Sequence, residues 1–301
     1  MEDSNTALES SGDISKISEN LLRGAKAWGV FPTPVEKIVT YAELCVADSI
    51  DLSAVEPGFL EKFGFIPKVL DKLLGMIDFR QRTIYIDQSM KASRQNFVKL
   101  HEVFHGVLPW QSDVLGRADD AKTLDPDVEQ LFEREANFGA SSALFQLDIF
   151  DDKAKKLPLS IKSAQHLAKE FGGSIHAALR RYVLNSPKRC CLLVFHPRSQ
   201  WTSENQGLRN CFLSKRFENE IGQIGLDAIA KPDTPFIRDI IFGKRWSDRG
   251  KAVLQVESGE SVSFDYHFFN STYNSFVLLM PQGEKNKSRI TLAYRNARSA
   301  A

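Results

Sequence analysis

Five consecutive residues, His101-Glu102-Val103-Phe104-His105, carry the clearest chemistry in this chain. Histidines four apart on a helix project from one face, one turn above the other. Their imidazoles can therefore converge on a single metal ion, and nitrogen donors at this spacing suit zinc. Glu102, lying between them, points aside: near enough to take a proton from water held at the metal, but not placed to be a ligand itself. The reaction this arrangement serves is metal-assisted hydrolysis with Glu102 as general base. The bland alternative is a pair of ordinary core or surface histidines. Against it, Leu100, Val103, Phe104, Val107 and Leu108 make the rest of the helix strongly apolar. Two imidazoles and a carboxylate need a reason to be buried together there.

A catalytic zinc takes three protein ligands and keeps a fourth position open. A second segment, Leu131-Phe132-Glu133-Arg134-Glu135-Ala136-Asn137, follows a helix start in which Asp125 caps, Pro126 takes the first turn and Asp127 complements the helix dipole. Glu133 and Asn137 are four apart and share a face. Glu133 is read as the third ligand, and Asn137 as an outer partner that accepts the second ring N–H of a histidine. Spacing alone leaves Glu135 and Glu129 open as substitutes. For a donor to the transition-state oxyanion, Tyr85, Arg94 and His166 are candidates on chemistry alone.

The segment from Ser93 to His105 resembles the Arg-x-x-Phe-x-x-x-His-Glu-x-x-His signature of the ImmA/IrrE metallopeptidases. Glu133-Arg134-Glu135-Ala136-Asn137 is similar to their second motif, Glu-x-x-Ala-Asn. Upstream, Gly75-Met76-Ile77-Asp78 followed by Arg82-Thr83-Ile84-Tyr85-Ile86-Asp87 resembles the strand pair that precedes the family's active helix. The resemblance spans residues 30–185 and departs at one point: the family places Phe-Ala two residues after the Asn, where this chain has Gly139-Ala140, with Phe138 one position early. It implies a zincin-like fold with one Zn2+ per chain on His101, His105 and Glu133. It also implies a helical segment after the catalytic unit, a C-terminal sensory module similar to GAF domains, and a substrate that is a helix-turn-helix transcriptional repressor. Cleavage of such a repressor switches on stress, phage-defence or mobile-element genes.

The elements that must position these residues can be read around them. The 301-residue chain exceeds a typical single domain, and 43% hydrophobic with 26% charged residues is ordinary for a soluble globular protein with a sizeable core. A net charge of +1 gives no global field toward nucleic acid or membrane. Cys45, Cys190, Cys191 and Cys211 show no C-x-x-C spacing and read as core thiols. A polar, acidic start without a signal-peptide core, and no apolar run of ~18 residues, predict a cytoplasmic protein without membrane contact.

Taken in order, residues 1–12 read as a disordered tail, 13–158 as a mostly helical metallopeptidase domain with a small sheet, 159–187 as a helical hairpin of helix-turn-helix shape, and 188–301 as an α+β sensor-type domain. Within the first domain, helices are expected from Ile14 and after Pro34 and, less regularly, over 59–74. The alternating strand at 82–87 is expected to border the cleft, where it could pair with an extended substrate or serve as an ordinary sheet edge. Residues 111–125 read as a loop near the metal, and 148–158 as an exposed connection. His176, Arg180 and Arg181 on the hairpin's second helix suit phosphate, although a helical hairpin is more commonly packed on its own domain.

Beyond Pro187, strands are expected at 190–195, 252–256, 262–269, 276–280 and 290–294, and a helix over 217–229. One stretch combines Arg238, Lys244, Arg245 and Arg249 with Trp246, a composition that suits single-stranded nucleic acid. It makes single-stranded DNA the candidate activator, against the plainer reading of a solvated basic loop. The whole chain then reads as a zinc endopeptidase of fold class α+β. The competing classes are a non-proteolytic zinc-containing sensor or DNA-binding regulator that sequesters a partner, and a zinc hydrolase acting on something other than protein. Glu102 argues against the first of these, since a structural zinc site has no use for a base.

Overall fold

The computed structural model describes residues 8–47, 75–116, 125–202, 207–229, 231–271 and 273–284. The helix expected over 59–74 and the strand expected over 290–294 lie outside them. The fold is α+β, and the chain divides into two compact units, Met1–Asp151 with Ala164–Leu179, and Asp152–Ser163 with Arg180–Ala301. The division runs through both helices of the expected 159–187 hairpin, so that segment does not stand apart as a unit of its own.

In the first unit, α1 (Ser11–Gly24), α2 (Val35–Tyr41), β1 (Cys45–Val46), β2 (Gly75–Asp78) and β3 (Thr83–Ile86) precede α3 (Ala92–Val107), the helix that carries both histidines. The sheet order is β1-β3-β2, with β1 parallel and β2 antiparallel to β3. This corrects the reading of 82–87 as an edge: β3 is paired on both sides, by Cys45 and Val46 on one and by all four residues of β2 on the other.

After α3 come α4 (Pro109–Leu115), α5 (Pro126–Leu144) and α6 (Asp148–Lys155). Pro109 stops α3 at Val107 and occupies the first turn of α4, where its missing N–H costs nothing. Residues 109–115 are therefore helical, where a loop was expected from 111. Asp125 caps α5 by accepting from the Asp127 N–H at 2.8 Å. α6 replaces the expected exposed connection because Phe150 anchors it: the side chain is fully buried, its ring 4.8 Å from Phe145 and 5.3 Å from Phe171. Asp148 and Asp151 in the first turn, with Lys153 and Lys155 in the last, also complement its dipole.

Helices α3 and α5 pack closely because α5 presents small residues. Ala136, Ala140 and Ala143 are fully buried, and a Cβ on Gly139 would lie 2.2 Å from Cδ1 of Phe104. This accounts for the departure at Gly139: the volume there is filled by a ring from α3. α7 (Ile161–Phe171) and α8 (Ile175–Leu184) follow the expected hairpin pattern. Gly172 at φ +79° makes the turn, and the Ser174 hydroxyl accepts from the Ala177 N–H.

The second unit contains β4 (Cys191–Phe195), β5 (Leu208–Leu213), α9 (Lys215–Ile221), α10 (Leu226–Ile229), α11 (Pro235–Ile241), β6 (Trp246–Gln255), β7 (Ser261–Asn270) and β8 (Ser275–Pro281). The strands form an antiparallel sheet in the order β5-β4-β8-β7-β6. β4 and β8 are interior strands and buried along their whole length, which is why both read as continuous apolar runs. One face of the sheet, through Leu193, Phe195, Phe264 and Phe268, shares a core with Phe217, Phe236 and Ile240 from the helices. Gly222 at φ +84° ends α9, so the helix expected over 217–229 is two short ones. Cys190 and Cys191 are buried thiols, but Cys45 and Cys211 are exposed, against the reading of all four as core. Among the described residues, no helix is long and apolar enough to cross a membrane.

Candidate metal centre

The i, i+4 spacing on α3 stacks the two histidines edge to face, ring centroids 4.7 Å apart, and the packing of α5 against α3 brings Glu133 to them. His101 Nε2 lies 3.3 Å from Glu133 Oε2, His105 Nε2 lies 3.3 Å from Glu133 Oε1, and the two Nε2 atoms are 3.0 Å apart. A tetrahedral zinc with bonds of ~2.0–2.2 Å sets its ligand atoms roughly 3.3–3.6 Å apart. The two nitrogen–carboxylate sides match that ion, the nitrogen–nitrogen side is about 0.3 Å short of it, and the donor types are those zinc takes. Among the described residues, this is the one cluster of three such groups that could hold a metal.

Asn137, exposed one turn beyond Glu133, adds to the raised pKa of His101 after the larger influence of Glu133 and Glu102. The neighbours of His105 were not legible. Its Nδ1 lies 2.8 Å from Oε1 of Gln111, a fully buried side chain on α4. The Gln111 amide in turn reaches Glu135, which is buried on the side of α5 away from the ligands and also accepts from the Trp110 indole at 2.7 Å. Glu135, weighed as an alternative ligand, instead supports the site from behind. Glu129, the other alternative, is exposed in the first turn of α5.

Glu102 is 6% exposed and lies against β2: a Cβ on Gly75 would sit 2.9 Å from Glu102 Oε1 and 2.3 Å from Val98 Cγ1. A glycine at the start of β2 is what lets the strand come this close to the carboxylate. Burial pushes the Glu102 pKa above its ordinary value, with His101 and His105 opposing the shift. For His101, burial lowers the pKa, but the hydrogen bond to Glu133 and the charges of Glu102 and Glu133 outweigh it and leave the imidazole raised. Glu133 shows the converse. Burial raises its pKa, yet the two imidazoles, 3.3 Å from its oxygens, hold the carboxyl far below the usual range. The two carboxylates thus differ in kind: Glu133 is strongly anionic and suited to a cation, and Glu102 has the greater proton affinity and is suited to proton transfer.

The three oxyanion candidates keep other company. The Tyr85 hydroxyl donates to Gln81 at 3.3 Å, His166 lies 3.8 Å from Glu170 on its own helix, and Arg94 is exposed in the first turn of α3. In the second unit, Arg238 is exposed on α11, Lys244 pairs with Asp239 at 3.0 Å, Arg245 is exposed just before β6, and Arg249 is exposed on β6. Trp246 is half-buried beside Phe269, with the Lys162 ammonium 5.3 Å from its ring centroid.

Residues 67–182 match the Peptidase_M78 family model, described as the IrrE N-terminal-like domain. Among solved structures, the chain is similar to a Mycobacterium tuberculosis transcriptional regulator, with a TM-score of 0.53 and 12% identity over 89% of this chain and 75% of that one. At that identity the likeness concerns the fold. No curated protein sequence matches the chain.

Proposed function

Starting from an IrrE N-terminal-like domain at residues 67–182, a segment that supports a metallopeptidase or regulator-related role, we propose that this protein is a zinc endopeptidase that cleaves a helix-turn-helix transcriptional repressor inside the cell. The single observation that carries the reading is the buried Glu102 carboxylate beside a His-His-Glu donor set. His101, His105 and Glu133 would hold the ion, with one position left for solvent or substrate. When bound, zinc supplies Lewis acidity that acidifies water and polarises a peptide carbonyl. Glu102 takes the proton from the attacking water and returns it to the leaving amine, and its raised proton affinity suits both transfers. Asn137 holds the His101 ring in place. A protein that only sequestered a partner around a structural zinc would gain nothing from that desolvated carboxylate.

The direct test mixes the zinc-loaded protein with any helix-turn-helix protein found encoded beside its gene and reads the products by mass spectrometry. The expected result is a pair of fragments from one cut, absent when a chelator strips the metal and restored by added zinc. An intact repressor after prolonged incubation with equimolar loaded protein would remove the substrate assignment.

The trigger, in the same proposal, is single-stranded DNA bound by the second unit at Arg238, Lys244, Arg245, Trp246 and Arg249, exposed cations beside an aromatic face. A titration with an oligonucleotide followed by tryptophan fluorescence should give a binding constant that falls linearly on a log–log plot against salt. Its absence, or an unchanged slope in an Arg245→Ala/Arg249→Ala variant, rules the trigger out.

A further inference from the structure

On the Nδ1 side of His105 each buried polar group has its donor and acceptor role forced by its neighbours, and the forcing can be followed atom by atom. A glutamine amide presents an oxygen and a nitrogen of nearly equal size, so only its partners decide which way it faces. On one side of Gln111 stand Glu135 Oε2 at 2.7 Å and the Phe132 carbonyl oxygen at 3.1 Å. A backbone carbonyl cannot donate, so the amide nitrogen must face this side, and both its N–H groups are used. The oxygen therefore faces His105 Nδ1 at 2.8 Å and can only accept. Glu135 is held in turn, Oε2 by the Trp110 indole N–H at 2.7 Å and Oε1 by the Ser10 hydroxyl at 2.5 Å. Gln111 is fully buried and Glu135 is 3% exposed, so water is not at hand to substitute for a lost partner.

We infer that Gln111 is the positioning residue of His105: locked by Glu135 and the Phe132 carbonyl, it keeps the proton on Nδ1 and presents Nε2 to the site. The inference rests on the reading of His105 as a metal ligand, but it makes a claim about the metal-free protein that stands or falls separately. Donation runs one way, from His105 to Gln111 to Glu135, with Ser10 and Trp110 converging on the same carboxylate. Asn137 serves His101 from α5, and Gln111 is its counterpart for His105 from α4.

The test uses the full-length protein labelled with 15N-histidine. Long-range ring correlations on the zinc-free protein at mildly alkaline pH report which nitrogen carries the proton, and Nδ1 is expected for His105. In Gln111→Leu the proton should redistribute toward Nε2, and zinc affinity from chelator competition should fall about 10–100-fold. A second variant, Gln111→Met, keeps the length of the side chain without its acceptor, and the same redistribution and loss of affinity are expected. An Nε2-bound proton in the parent, or parent-like affinity in a folded Gln111→Leu, overturns the inference. Should Gln111→Leu not fold, the parent spectrum and Gln111→Met still decide. A protein that binds no zinc at all would defeat the metal reading and leave the tautomer result to be judged alone.

Discussion

Glu102→Gln should leave one zinc per chain and cut the rate of peptide-bond cleavage by about 10²–10⁴-fold. The amide keeps the shape of the carboxylate in a pocket bounded by Gly75 and Val98, so packing is preserved, and no ligand to the ion is touched. What is lost is a basic oxygen. Burial raises the proton affinity of that oxygen above that of an exposed glutamate. Zinc content is read by elemental analysis, and turnover on the repressor or on a peptide spanning its cut site. A variant that retains parent activity would show that some other group moves the proton. One that loses zinc would show Glu102 to be a ligand.

Glu133→Ala should weaken zinc binding by roughly 10²-fold or more. Structural zinc in small peptides is held by ~10–16 kcal/mol across four ligands, so each supplies on the order of 3 kcal/mol. The side chain is about half exposed, at 54%, and is reached by both imidazoles, so its removal should spare the fold while opening the donor triangle. Chelator competition gives the affinity, and circular dichroism shows whether the helices persist. Because Glu135 points into the core rather than at the ligands, it cannot take over. Undiminished affinity in Glu133→Ala would overturn the donor set.

What the sequence made legible was whatever depends on spacing along a single helix. His101 with His105, and Glu133 with Asn137, were recoverable because the helical period alone decides which side chains share a face. The caps at Asp125 and Ser174 were readable for a similar reason, since each acts within three residues of itself. Contacts closed by tertiary structure were not. Gln111 sits six residues past His105 across a helix break, and nothing in the local pattern reveals that α4 restarts at Pro109 and returns its amide to the ring. Phe150 lies among acids and lysines that read as solvated, and its burial comes from Phe145 and Phe171. β5 escaped because Arg209, Asn210 and Cys211 interrupt its apolar residues, while its pairing comes entirely from β4. α11 is seven residues long and lies in a stretch dominated by charge, too short for periodicity to register.

The shared volume between Phe104 and Gly139 has an evolutionary corollary. Two helices that meet over a single ring can draw that ring from either partner, but not from both, and the space is empty if neither supplies it. Related chains should therefore change these two positions together, an aromatic on one accompanied by a minimal residue on the other. An intermediate carrying bulk at both, or at neither, should be scarce among them.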